Sequence, residues 1–435
     1  MWNKGKNWLG WLSSRVFKNP LIAGSAVLFV GTMIANFGGY LYHLLMGRML
    51  GPANYGTLES LISLLYLLGI PMGALSLVIV KFVSAFKGQK KLSAIKSMFL
   101  TYTQIFFLFG VVGLAVFFLF ISPISSFLHL KEKFSLIIIG AISFISIFTT
   151  INRSFLQGIL YFGTLAASGI IEVFLKLFLA VLFVWLGFGV SGAILPILIG
   201  GIVAYIFTVI FLKGAVWDGQ KEALDYLAMV WYALPVFFST LAFTSLYTTD
   251  IILVRHFLTA SEAGFYAALS VLGKIIFFIS GPVVTVMFPL VSERQANGKQ
   301  YTNLLFLSLG LVFLTCFGAS LVYLLFPELM IKILFGREYL AASAYLFLFA
   351  IFLSFYSLSF LLTNFYLSIR EVKIVALPML AALSQIIVIT LFHQTLLQVI
   401  WISLAITALL FTSQMVYYFY ALKGKRTSFS HHSGL

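Results

Sequence analysis

The sequence predicts an all-α integral membrane protein with about twelve transmembrane helices, arranged in two six-helix lobes. Two properties of the composition lead to this class: 62% of the residues are hydrophobic, and only 9% are charged. An average soluble domain has roughly 25% charged residues, so the composition excludes a water-soluble fold. The third observation is a weak internal repeat, in which the second half of the chain follows the plan of the first.

Long apolar runs mark the spans, because a helix needs about 20 apolar residues to cross the hydrocarbon core. In the first half the predicted spans are Leu21–Met46, Thr57–Val80, Met98–Ile121, Ser135–Leu156, Phe162–Phe188 and Val190–Leu212. In the second half they are Ala228–Val254, Gly264–Val291, Asn303–Phe326, Leu340–Leu367, Val372–Phe392 and Gln398–Ala421. These spans leave no room for a soluble domain within the 435 residues.

The stretch between the first two spans predicts the turn of a transmembrane hairpin. Gly47 is a residue type that ends helices, and the Gly51-Pro52 pair favours a bend. Gly56 permits the next helix to begin close to its neighbour. We therefore expect two helices on either side of a tight turn.

The hairpin recurs at the start of the second half. A shift of 208 positions places Gly56 over Gly264 and Arg48 over His256. Each half has an even number of spans, which predicts parallel repeats.

A polar, acidic segment at 213–226 is the predicted linker. The predicted domains are an N-terminal lobe with an interfacial segment before its first span (1–217), a C-terminal lobe (218–422) and a cytoplasmic tail (423–435).

Positive charges are distributed unevenly over the two sides of the spans. The loops on one side carry only Arg48, Lys131, Lys133, Arg255, Lys332 and Arg337. Every other Lys and Arg outside the spans lies on the side of the two termini, which the positive-inside rule assigns to the cytoplasm. This rule explains the net charge of +15 better than nucleic acid does, because the charges are spread over short loops. We expect a multi-pass protein of the cytoplasmic membrane, in contact with membrane lipids.

Polar residues inside the spans are candidate functional residues. A charge at mid-bilayer costs ~2.5 to 3.5 kcal/mol, so it needs a partner or a water-filled cavity. Asn36 and His43 lie on one polar stripe of the first span, which indicates either substrate contacts or ordinary hydrogen bonds between helices. In the second span, Glu59 shares a helix face with Ser63 and Tyr66.

Three further spans carry charges. In the seventh, Asp250 lies inward of Arg255, whose guanidinium is expected either to reach the headgroups or to bind a ligand. In the fifth, Glu172 and Lys176 are four residues apart, in the order that favours an ion pair. That pair is either structural or able to open for a competing ion. In the eighth, Lys274 requires a carboxylate from elsewhere in the chain, or a bound anion.

No enzyme or metal motif occurs in the sequence. Zinc-ligand spacings, phosphate-binding glycine loops and nucleophile elbows are all missing. The single cysteine, Cys316, lies in an apolar run. The sequence therefore predicts no catalytic residue, no cofactor, no metal and no nucleic-acid partner.

The chain resembles the polysaccharide flippases of the multidrug/oligosaccharidyl-lipid/polysaccharide exporter superfamily, the Wzx-like O-antigen and capsule transporters. The resemblance rests on Arg48, Leu50-Gly51-Pro52, Tyr55-Gly56, Asp250, Arg255, Leu258, Gly264 and Tyr266. It implies two six-helix lobes around a central cavity that opens alternately to either side of the membrane. It also implies transport of a polyprenyl-diphosphate-linked oligosaccharide for surface polysaccharide biosynthesis, coupled to protons or sodium ions as in an antiporter, together with glycan polymerase machinery.

The resemblance and the intramembrane charges together define the candidate site. The candidate substrate-binding residues are Lys274, Arg255, Arg48, Asn36, His43 and Lys176, and the candidate ion-coupling residues are Asp250, Glu59 and Glu172.

Other functions fit the sequence less well. A drug exporter of this superfamily is expected to carry an acid in span one, which has none, although an ion-coupled exporter of small amphiphiles remains the second hypothesis. A lipid II flippase is expected to have two extra spans. A membrane polysaccharide polymerase or ligase is expected to have a long outer loop rich in Arg and His, whereas the longest outer loops here are 122–134 and 327–339.

Overall fold

The computed structural model describes residues 20–130, 132–216, 226–297 and 299–422, and every element in these ranges is helical. The predicted interfacial segment before residue 20, most of the predicted linker and the predicted tail lie outside the described residues. Eleven helices in the described ranges are long and apolar enough to cross a membrane. The protein is therefore a multi-spanning membrane protein, as predicted.

Five long helices and one short helix make up the described part of the first half. They are α1 (Pro20–Gly88), α2 (Leu92–Leu119), α3 (Ile121–Phe127), α4 (Phe134–Gly158), α5 (Phe162–Trp185) and α6 (Gly189–Val216), of which α3 is short and α1 is bent. At 69 residues, α1 is about 100 Å long, which is enough for two crossings of a core about 30 Å thick. It therefore contains both of the first two predicted spans, and the eleven spanning helices account for all twelve.

The second half repeats this order. Its helices are α7 (Tyr226–Phe257), α8 (Ala260–Ala296), α9 (Thr302–Leu325), α10 (Pro327–Leu334), α11 (Ser343–Ser368), α12 (Ala376–Leu391) and α13 (Leu396–Tyr417). Two 3₁₀ turns, Arg337–Ala342 and Val372–Val375, precede α11 and α12, and a π-helical turn, Tyr418–Leu422, follows α13.

The bend of α1 is concentrated in a single residue. Gly51 has φ 69° and ψ 171°, a conformation that residues with a Cβ rarely adopt. The prediction that Gly47 ends the helix was wrong, because the helix continues through it and one glycine suffices for the bend.

The predicted outer loops contain helices. Residues 121–127 form α3 and residues 327–334 form α10, which has Pro327 in its first turn. Both helices are much shorter than a membrane span, and hydropathy detects only apolar runs of about that length. They were therefore predicted as loops.

The described residues divide into two compact units. Unit 1 contains residues 20–46, 71–126, 132–216 and 226–233, and unit 2 contains residues 47–70, 127–130, 234–297 and 299–422. The core of unit 1 includes Val83 of α1, Phe155 of α4 and Leu212 of α6. Two segments of the first half, 47–70 and 127–130, therefore pack in unit 2 with α8 to α13.

Candidate functional site

Three charged side chains form a buried cluster in unit 2. Glu59 of α1, Asp250 of α7 and Lys274 of α8 are 0%, 1% and 9% exposed, respectively. Lys274 interacts electrostatically with both carboxylates. Of the two alternatives predicted for Lys274, a carboxylate from elsewhere in the chain or a bound anion, the structure therefore shows the first. With all three groups ionised, the cluster has one more negative charge than positive charge.

Two tyrosine rings enclose the ammonium group of Lys274. Its Nζ atom lies 5.6 Å from the ring centre of Tyr66 and 5.1 Å from that of Tyr247. Each such contact contributes about 0.5 to 2 kcal/mol, with the larger values in desolvated sites. The rings and the carboxylates together replace the water that a lysine loses on entering the membrane.

Asp250 is held in place by hydrogen bonds to both of its carboxylate oxygens. The hydroxyl of Tyr266 donates to Oδ2 over 2.6 Å, and the backbone N–H of Ile251 donates to Oδ1 over 2.8 Å. Tyr266 is fully buried and packs edge-to-face on Phe349 of α11. Asp250 is therefore a rigidly positioned anion.

The turn of the first hairpin (47–56) and its counterpart in the second half (255–264) contact each other directly. A Cβ atom added at Gly56 would lie 2.6 Å from the backbone nitrogen of Gly264, and one added at Gly264 would overlap with the carbonyl of Pro52. Only glycine at both positions permits this approach of one backbone to the other. The predicted role of Gly56 in a close approach is confirmed, although its neighbour is the turn of the second half.

Arg48 binds the C-terminal end of α10. Its guanidinium donates to the carbonyl oxygens of Leu334, over 3.3 Å, and Ile333. The hydroxyl of Tyr339 donates in turn to the carbonyl of Gly47 over 2.8 Å. A cation at a helix C-terminus satisfies carbonyls that lack a partner within the helix.

The second turn makes the reciprocal contact with the segment after α3. Arg255 donates to the carbonyl of Leu128 over 3.2 Å, and the Nδ1 atom of His256 donates to that of Phe127 over 2.8 Å. His129 Nε2 donates to the carbonyl of His256 over 3.0 Å. Each turn thus caps the end of the short helix that belongs to the other half of the repeat. Substrate binding by Arg48 and Arg255 stays a prediction.

In unit 1, Glu172 pairs with a residue that the sequence analysis did not assign to it. Arg153 Nη2 of α4 lies 2.7 Å from Glu172 Oε2, and Arg153 Nε donates to the hydroxyl of Ser168. The predicted pair of Glu172 with Lys176 was wrong, because Arg153 reaches Glu172 from the neighbouring helix. Arg153 and Glu172 line a cavity of about 90 Å³ between α4, α5 and α6.

The remaining predicted residues also lie in unit 1. Lys176 Nζ is 4.5 Å from the ring centre of Tyr42, whose hydroxyl donates to the carbonyl of Ala193. Asn36 is exposed and His43 is half-buried on the first arm of α1. Lys176 therefore belongs to unit 1, whereas Lys274 belongs to unit 2. In the described ranges, no group of three His, Cys, Asp or Glu side chains could hold a metal ion.

The sequence analysis missed Tyr66 and Tyr247 as partners of a charge. A signal was present, because the shift of 208 positions places Tyr66 over Lys274, just as it places Gly56 over Gly264. A second missed signal is the Thr259-Ala-Ser-Glu262 sequence before α8, which forms a capping box in the structure.

The architecture is that of a class of membrane transporters whose structures have been solved. An inward-facing multidrug resistance MATE family transporter of the MOP superfamily has a TM-score of 0.71 and 14% identity, over 91% of this chain and 96% of that chain. The lipid II flippase MurJ in an inward closed conformation has a TM-score of 0.68 and 14% identity, over 92% and 87%. A MOP superfamily transporter from Pyrococcus furiosus has a TM-score of 0.64 and 15% identity, over 91% and 95%.

The family follows from the sequence itself. Residues 45–344 match the family model described as polysaccharide biosynthesis protein. The chain therefore belongs to this family, and the resemblance stated on its two turns is confirmed. No curated protein sequence matches the chain.

Proposed function

We propose that this protein is a flippase that carries polyprenyl-diphosphate-linked oligosaccharide units from the cytoplasmic to the outer leaflet of the cytoplasmic membrane. Transport proceeds by alternating access and is coupled to a proton or sodium ion gradient. The translocated units are the substrates of the glycan polymerase machinery in surface polysaccharide biosynthesis. The family match supports the polysaccharide part of the proposal. The shared fold with transporters, among them a lipid II flippase, supports the transport part.

The observation that carries the proposal is the buried lysine of unit 2. A lysine inside a membrane protein is costly, so a structural role would be served better by an apolar residue. Lys274 interacts with two carboxylates from different helices, which suits a cation that binds an anionic group such as a diphosphate during part of a cycle. Asp250, Glu59 and Glu172 are the proposed residues for the coupling ion.

Cells that lack the gene test the function. Lipid-linked repeat units should accumulate on the cytoplasmic leaflet, and a plasmid-borne copy should restore surface polysaccharide. In vesicles with the purified protein, a labelled lipid-linked unit should become accessible to a reagent that cannot cross the bilayer. Normal surface polysaccharide in a deletion strain without a second flippase would contradict the proposal.

The second candidate is an ion-coupled exporter of small amphiphiles. The tyrosine rings and the excess of carboxylates in the cluster favour it, since both features also attract organic cations. Efflux of such compounds by vesicles that do not flip lipid-linked units would establish this function instead.

An enzyme of polysaccharide assembly is the third candidate. The proposed transporter role is favoured because Arg48, Arg255 and His256 are hydrogen-bonded to backbone carbonyls and are not grouped in a long loop. Polymerised glycan made by the purified protein from lipid-linked units would show enzymatic activity.

The proposed orientation places both termini in the cytoplasm. Lys213 and Arg337 are both exposed. The charge distribution assigns Lys213 to the side of the termini and Arg337 to the opposite side. With Cys316 replaced by serine, a cysteine at 337 should react with an impermeant maleimide on intact cells, whereas a cysteine at 213 should react only after lysis. The opposite labelling pattern would reverse the orientation.

A further inference from the structure

A polar stripe of α4 and a carboxylate of α5 line the same cavity in unit 1. Ser146, Thr150 and Arg153 follow one another at intervals of four and three residues, which places them on one face of α4. All three line the cavity of about 90 Å³, and so does Glu172 of α5. The side chains of Arg153 and Glu172 are each 27% exposed, so a ligand can reach both of them.

The polar groups of this cavity have hydrogen-bonding capacity left. Arg153 Nε donates to the hydroxyl of Ser168, and Arg153 Nη2 lies 2.7 Å from Glu172 Oε2. Among the described residues neither side chain has a further partner, which leaves Arg153 Nη1 as a donor and Glu172 Oε1 as an acceptor. The half-buried hydroxyl of Thr150 makes no hydrogen bond to any residue that the structure describes. The cavity therefore offers donors at Arg153 and Thr150 and an acceptor at Glu172.

The charge balance of the cavity disfavours an ionic ligand. Arg153 and Glu172 are the charged residues that line it, and together they form a neutral pair. The adjacent carboxylate would repel an anion at the guanidinium, and the guanidinium would repel a cation at the carboxylate. A neutral ligand with hydroxyl groups fits both partners, because each hydroxyl can donate one hydrogen bond and accept others.

The remaining wall of the cavity is aliphatic. It is built from isoleucine and leucine side chains of α4 and α6, among them Ile145 and Leu198. A sugar ring matches such a mixed wall, since its edge carries hydroxyl groups and its faces carry C–H groups that pack on apolar side chains. The volume is below the ~150 Å³ of a cavity that holds benzene, so there is space for one edge of a ring.

We propose that this cavity is a subsite for one hydroxyl-bearing edge of a neutral sugar in the lipid-linked oligosaccharide. Arg153 and Thr150 donate to the hydroxyl oxygens of the sugar, and Glu172 accepts from its hydroxyl groups. The inference rests on the proposed function for the class of its ligand. Glu172 is also one of the three carboxylates proposed for the coupling ion, and its pairing with Arg153 favours the role in substrate binding.

The position of the cavity along α4 agrees with loading from the cytoplasm. Arg153 lies five residues, or about 8 Å, before Gly158 at the end of α4. In the proposed orientation this end of α4 is the cytoplasmic one, and the sugar units enter the transporter from that side.

Saturation-transfer NMR with free sugars tests the inference on the full-length protein in lipid nanodiscs. The neutral probes are the methyl glycosides of glucose, galactose and mannose, the anionic probes are glucuronate and galacturonate, and the cationic probes are glucosamine and galactosamine. At least one neutral glycoside should bind more tightly than every charged probe, with empty nanodiscs as the background. Signals that do not exceed this background, or equal binding of the three classes, would overturn the inference and indicate a cavity filled by water only.

Variants of the ion pair should change the selectivity in opposite directions. Glu172→Gln leaves the positive charge of Arg153, so the uronates should gain about fivefold in affinity relative to the neutral glycosides. Arg153→Gln leaves the negative charge of Glu172, so the amino sugars should gain by a similar factor. A purely structural ion pair predicts the same loss for all three classes, and that result would contradict the proposed contacts.

Thr150→Val tests the site without a change of charge. The variant keeps the shape of the side chain but loses its hydroxyl, and it should bind the neutral glycoside about fivefold more weakly. Thr103→Val is the matched control, because the Thr103 hydroxyl also makes no hydrogen bond among the described residues but lies on α2, outside the cavity. Equal effects of the two variants would place sugar binding elsewhere and refute the subsite.

Failure of the subsite and failure of the flippase proposal give different results, because the binding assays contain no lipid-linked substrate. Flipping of lipid-linked units by a protein that binds no free sugar at this cavity would refute the subsite alone. Sugar binding with the expected selectivity, in a protein that flips no lipid-linked unit, would support the sugar site and refute the flippase proposal.

Discussion

Tyr66 and Lys274 occupy equivalent positions in the two halves of the repeat, and the Lys274 ammonium lies 5.6 Å from the ring centre of Tyr66. Gly56 and Gly264 are a second equivalent pair, and their backbones touch. The second arm of α1 and α8 thus meet at equivalent positions along their lengths. At one of these positions, an aromatic ring of one half lies against a cation of the other.

Loss of the Lys274 charge should abolish transport. Lys274→Ala removes the cation that interacts with Glu59 and Asp250, and Asp250→Asn removes one of the two negative charges that act on Lys274. We expect each variant to lower the flipping rate at least about tenfold while membrane insertion persists. The rate is measured with lipid-linked units in vesicles, with the exposed Lys299→Ala as the control. Full complementation by both variants would remove the two residues from the transport site.

A methyl group at the contact of the two turns should destabilise the protein. Gly264→Ala forces its Cβ into the Pro52 carbonyl, and overpacking of this kind costs about 1 to 3 kcal/mol. Thermal unfolding followed by size-exclusion chromatography should show a lower Tm. Gly310→Ala is the matched control, since a Cβ at Gly310 has no neighbour within 4 Å and alanine favours a helix. Equal Tm values for the two variants would show that the contact between the two turns does not contribute to the stability of the protein.

The two capping arginines should differ in their effect on stability. Arg255 is 8% exposed, whereas Arg48 is exposed, although both donate to carbonyls at a helix end. Buried carbonyls that lose a donor cost more than solvated ones, so Arg255→Ala should lower the Tm more than Arg48→Ala. Flipping rates on the same samples separate capping from substrate binding. A stable Arg48→Ala protein with strongly reduced substrate affinity would support the substrate-binding prediction for Arg48.

A double-mutant cycle should detect the ion pair of unit 1. Arg153→Ala and Glu172→Ala should show a coupling energy of up to about 1 kcal/mol, because both side chains are only half-buried. The same cycle between Glu172 and Lys176 should give a coupling energy near zero. Reversible unfolding in mixed SDS micelles provides the free energies. Stronger coupling of Glu172 to Lys176 than to Arg153 would contradict the pairing in the structure.

Hydropathy and charge were sufficient to predict the class and the spans. Each of the twelve predicted spans corresponds to a helix or to one arm of α1, because a core about 30 Å thick imposes the length of an apolar run.

Contacts between helices could not be predicted in the same way. The spacing of Glu172 and Lys176 suggested a pair, but the long side chain of Arg153 reaches Glu172 from α4. Glu59 and Lys274 lie in different halves of the chain, yet they interact because 47–70 packs in unit 2. Such pairings depend on which helices become neighbours, and hydropathy does not contain that information.

The assignment of residues 47–70 to unit 2 has a consequence for biosynthesis. This segment leaves the ribosome about 200 residues before α7 and α8, and at about 5 to 20 residues per second it waits roughly 10 to 40 s for them. During that time Glu59 and Ser63 lie in the second span to be inserted, before Lys274 has been synthesised. The nascent chain must therefore either be shielded by the insertion machinery or hold this span near the headgroups until its partners arrive.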